Sequence, residues 1–181
     1  MDDPATKTEF EQLDSGSNQF IEIILAHLQS DRGVHLETAI CAASSMAGVL
    51  LLRSTGVDLS PLKPGVPVFV EQVNDMGTEL LGFMARVCQA TGIDPNTGWD
   101  QPAPDNHQSL ESGIELVRDM ERPFGEMADR LSIAGPLRPG VAALSAVKLI
   151  KMGSQVLSPE IGKAIVLTSL MAACKTAPYN V

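Results

Sequence analysis

Three histidines and a handful of carboxylates are the residues here whose types and spacing suit chemistry, and they form only fragments of known arrangements. His35 stands two residues before Glu37, and His107 stands four before Glu111, one helical turn away. Either pair offers two ligands of a metal site, or a base with a carboxylate to orient it. A metal-dependent enzyme built on His35, Glu37 and His107 is therefore one reading of the chain. A lone histidine near a helix end more often caps the helix or sits in solvent, which is the plainer account of each. Glu71, Asp75 and Glu79 repeat at helical spacing and suggest a carboxylate row, but they fall opposite the apolar stripe of their helix, where charges are solvated.

The stronger signatures are missing. The chain has no HExxH, no CxxC or Cys–His cluster, no GxSxG elbow, no paired ExxH motif and no GxxxxGK[ST] loop. Zinc chemistry with the usual spacing, serine hydrolysis and P-loop nucleotide hydrolysis have no motif to rest on. No metal and no cofactor is expected.

Binding offers more. Trp99 is the only tryptophan, in the stretch 92–106, GIDPNTGWDQPAPDN, whose prolines, glycines and Asp and Asn residues specify a loop. Loops of that length commonly serve packing or function. Trp99 either pins the loop or covers a cleft for a small apolar or acidic ligand. Lys148 and Lys151 are the first candidates to hold an anion, because charge is split along the chain. From Arg138 onward there are five basic residues and one acid, against eight basic and twenty-one acidic before it. The candidate ligand-binding residues are thus Trp99, His107, Glu111, Lys148 and Lys151.

These residues have to be positioned by helices. In 181 residues, 44% are hydrophobic and only 4% aromatic, a composition rich in Ala, Leu, Val, Ile and Met that favours helix over sheet. The expected fold is a single all-α domain, 1–181, a bundle of five to seven helices. It divides into an N-terminal segment 1–33, a first half 34–104 that ends in the loop 92–104, and a second half 105–181. Ser15, Gly16 and Ser17 should break the first segment into two pieces. A helix from about His35 to Ser54 is apolar all round, with Ala39, Ala43 and Ala47 spaced to let a neighbour come close. Val68 to Thr91 predicts an amphipathic helix with a stripe of Phe69, Val73, Met76, Leu80, Met84 and Val87. Asp105 and Gln108 resemble a cap for the next helix, which Pro123 should kink or split. A shorter helix follows from about Val141 to Met152. Ser158, Pro159 and Glu160 start the last one, which reaches about Lys175.

PLKPGV at 61–66 recurs as PLRPGV at 136–141, each time before a helix, so the two halves are candidate duplicated hairpins.

A net charge of −9 repels phosphate backbones, which argues against nucleic-acid partners. The uncharged run Thr38–Leu52 spans about 22 Å as a helix, short of about 30 Å of hydrocarbon, so membrane insertion is not expected. An odd cysteine count, with Cys41, Cys88 and Cys174 all in apolar stretches, and an acidic N-terminus without a signal-like apolar run point to the cytoplasm. Two helices without a polar face ask for more covering than one small bundle readily gives, so a homodimer is expected. The leading reading at this level is a non-enzymatic helical interaction or scaffold protein.

Overall fold

The computed structural model describes residues 4–179. Asp2 and Asp3 of the acidic N-terminus lie outside them. The chain forms six α-helices: α1 (Pro4–Leu28), α2 (Leu36–Ser54), α3 (Gln72–Ala90), α4 (Gly113–Arg130), α5 (Arg138–Met152) and α6 (Pro159–Cys174). Two short 3₁₀ turns, Asp105–His107 and Gly135–Leu137, lead toward α4 and α5. Strand-like pairing among the described residues is confined to isolated bridges, so the domain is an all-helical bundle.

The centre is α2, which the other five helices surround. By length and composition it is also the one helix among the described residues able to cross a membrane, but most of it is buried inside this bundle. Its apolarity on every side is thus satisfied within one chain. The alanines at 39, 43 and 47 are fully buried, and α6 comes so close at Gly48 that an added Cβ would lie 2.7 Å from the Leu170 carbonyl oxygen. At its start, His35 caps the helix by accepting from the Thr38 amide.

Several boundaries differ from the sequence expectation, each for a tertiary reason. The Ser15-Gly16-Ser17 run does not break α1. It makes room for a neighbour instead: a methyl at Gly16 would come within 2.6 Å of Ile133 Cδ1, and Ser145 Oγ of α5 donates to the Ser17 carbonyl. α3 begins four residues after Val68, because 65–68 pair with the segment after α6: Val68 N–H donates to Lys175 O, and Ala177 N–H to Val66 O. Phe69 therefore precedes the helix and is 90% exposed, while Val73, Leu80 and Met84 form the buried stripe. Asp105 and Gln108 do not start α4. Asp105 opens a single 3₁₀ turn, and the Gln108 amide closes that turn on the Ala103 and Pro104 carbonyls. Pro123 lies inside α4 without dividing it.

The two six-residue repeats adopt different structures. PLKPGV is a turn with Gly65 at φ +86°, whereas PLRPGV forms the 3₁₀ turn and first residues of α5. The repetition is not matched by equivalent local folds.

Candidate functional site

Among the described residues, two cavities stand out on the bundle. The larger, about 850 Å³, is a groove between the end of α2, one face of α3 and the start of α5. Its walls include Leu50, Leu51, Met76, Leu80, Phe83 and Leu137. Three guanidiniums, Arg53, Arg86 and Arg138, border it against one carboxylate, Glu79. Two of the three are paired with carboxylates, Arg53 with Glu121 and Arg138 with Asp129, which leaves Arg86 as the unpaired cation among these three.

The three arginines are held differently. Arg53 Nη2 donates to Glu121 and, at 3.0 Å, to the Tyr179 carbonyl, while its buried Nε has no partner. Burial pushes the Glu121 carboxyl up, and Arg53 beside it only partly offsets that. Arg138 donates to Asp129 at 2.6 Å and to the Ile133 carbonyl. Arg86 is exposed, and among the described residues no ion pair or hydrogen bond engages it.

The second cavity, about 500 Å³, lies under the segment 103–113, between α2 and α6. Here the fold brings together residues far apart in sequence. His107 Nδ1 lies 3.0 Å from Glu37 Oε1, and His35 Nε2 lies 3.5 Å from the other oxygen of the same carboxylate. Burial raises the Glu37 carboxyl, but the His107 hydrogen bond, the helix-start backbone amide and the two histidines outweigh it, so the group stays below the usual carboxylate range. His107 and Glu111 both line this cavity, with Cys41, Ser45, Thr168 and Ser169 on the helices below.

Trp99 and the two lysines are placed elsewhere. Trp99 is partly buried against the core, donates from Nε1 to Pro95 O within its own loop, and lines neither cavity. That loop is fastened from beneath: Lys163, with no exposed surface, donates to Asp94 O at 2.6 Å, and Gly98, at φ +84°, rests on the Glu160 backbone. Lys148 Nζ is surrounded by Asp14 Oδ1, Ser17 Oγ and Asn18 Oδ1, each at 2.7 Å, so its donors tie α5 to α1. Lys151 is exposed near the end of α5. The three cysteines are free and buried; burial raises the Cys88 thiol and lifts Cys174 to about 11.

Arg53 and Arg86 were not singled out by the sequence. They stand in different helices and follow no motif; the only available signal is that each is a lone cation in an apolar run, Arg53 at its end and Arg86 within it.

Comparison with protein-family models, with curated proteins and with solved structures found no match. The functional reading therefore rests on the geometry of the two cavities.

Proposed function

We propose that this is a non-enzymatic binding protein that takes an elongated apolar molecule with an anionic head into the groove between α2, α3 and α5. The observation that carries the reading is the pairing of apolar walls with the unengaged guanidinium of Arg86 at their edge. The groove's volume falls in the range of small-molecule sites, roughly 300–1,000 Å³. An anion would gain a charge-assisted hydrogen bond from Arg86, the arginine of the three that no carboxylate neutralises.

The same structure weakens the reason for expecting a homodimeric scaffold. α2 is covered by its own chain, and the exposed large apolar side chains, such as Phe10, Phe69 and the neighbouring pair Met152 and Val156, are spread over three segments. A binding site near Trp99 is less favoured than the groove, since Trp99 faces neither cavity.

Isothermal titration with laurate, and with dodecyltrimethylammonium as a cation of equal chain length, tests the reading. Laurate should bind once per chain, and Arg86→Ala should weaken it about tenfold, the loss of one charge-assisted contact. Equal binding of the cation, or laurate affinity unchanged in Arg86→Ala, would overturn it.

A further inference from the structure

We propose that the cavity beneath residues 103–113 is a second binding site, separate from the groove, for a small molecule carrying a protonated amine. The segment that roofs it is strapped to the helices below at three points. Ala103 N–H donates to Thr168 Oγ1 of α6, His107 Nδ1–H to Glu37 of α2, and Leu110 N–H to Thr38 Oγ1 of α2. The strap and helices border a half-open space whose walls are mostly apolar, with hydroxyls such as Ser109, Ser112 and Ser169 set among them.

Hydrogen-bond direction sets the chemistry offered to a ligand. The Thr38 amide and hydroxyl both donate to His35 Nδ1, which makes that nitrogen the acceptor and puts the ring proton on Nε2, facing Glu37. The ionised Glu37 then accepts from both histidines. His107 spends its proton on Glu37 through Nδ1, and Nε2 is left as an acceptor on a residue that lines the cavity.

The charges around the space are of one sign. The strap contributes Glu111, whose carboxylate is engaged by no hydrogen bond or ion pair among the described residues. α2 contributes Glu37 just behind His107, and the cavity has no lysine or arginine in its lining. A carboxylate without a partner, a ring acceptor and several hydroxyls complement an ammonium group with its N–H donors, and disfavour an anion. Among the described residues no three His, Cys, Asp or Glu side chains converge as a metal-ligand set, so the fitting cation is an organic one.

Titration of ¹⁵N-labelled protein with ethanolamine at pH 7.5 tests the site, with ethylene glycol and glycolate as neutral and anionic probes of similar size. Ethanolamine should shift the Leu110 and Ser112 amides in a saturable way, and the other two should not. Glu111→Gln, an exposed and isosteric change, should weaken the effect at least fivefold, while Glu22→Gln on the outer face of α1 should leave it unchanged. Ethylene glycol or glycolate binding as tightly as ethanolamine, shifts that fail to saturate, or an undiminished response in Glu111→Gln would each overturn the assignment.

Discussion

The ammonium of Lys163 has no exposed surface and lies 2.6 Å from the main-chain oxygen of Asp94. A lysine in a helix core is costly unless its donors are used, and here they secure a loop that begins just after α3. The contact makes Lys163 a structural anchor that fastens the start of the Trp99 loop to α6.

Lys163→Ala removes buried methylenes and leaves the Asp94 carbonyl unpaired, so it should destabilise the fold by about 2–4 kcal/mol. Urea unfolding reads the loss. Trp99 emission of the native variant should move to longer wavelength as the loop loosens; an unchanged spectrum would mean that Lys163 does not hold it.

Glu37 sits below its ordinary value of 4.5 in the folded chain. A depressed carboxyl stabilises the fold above its unfolded pKa, and that contribution is lost as pH falls through the folded value. Glu37→Gln should lower the melting temperature at pH 7 by about 2–4 °C, on the order of 1 kcal/mol for a chain of this size and a partly solvated group. As pH falls through the lowered folded value the variant and the parent should converge. A difference that does not shrink as the pH is lowered would place the effect outside this carboxylate.

Arg53 is the partner of a half-buried carboxyl that burial already pushes up. Without it Glu121 should rise further, and a raised carboxyl destabilises increasingly as pH climbs from its unfolded value to its folded value, above which the cost stays constant. Arg53→Ala should cost about 1–3 kcal/mol at pH 8, less at pH 5, and the double variant with Glu121→Leu should recover part of the loss. Chemical denaturation at the two pH values decides it; an equal cost at both contradicts the pairing.

Two helical glycines should respond with opposite sign. Gly48→Val drives a side chain into the α6 backbone at Leu170 and should destabilise by about 1–3 kcal/mol. Gly125→Ala in α4 meets nothing within 4 Å and should stabilise by about 0.4–1 kcal/mol. Thermal melts of both variants test the α2–α6 approach against an open position.

The sequence by itself determined the all-helical fold, because apolar spacing and caps such as Ser158 with Pro159 act over one or two turns and are written in neighbouring residues. It also picked out α2 as a helix needing cover, and named His35, Glu37, His107 and Glu111. Only the tertiary structure decided how they meet: Glu37 joins His107 across 70 positions, a relation no local pattern encodes. The same holds where the local reading gave way. Ser15-Gly16-Ser17 has the composition of a break, yet α5 packs on those small residues and their backbone stays helical. Val68 opens the expected helix, yet its amide pairs with Lys175 near the other end of the chain. The groove is the extreme case, since Arg53, Arg86 and Arg138 come from three helices and line one cavity only when α2, α3 and α5 bury their apolar faces together.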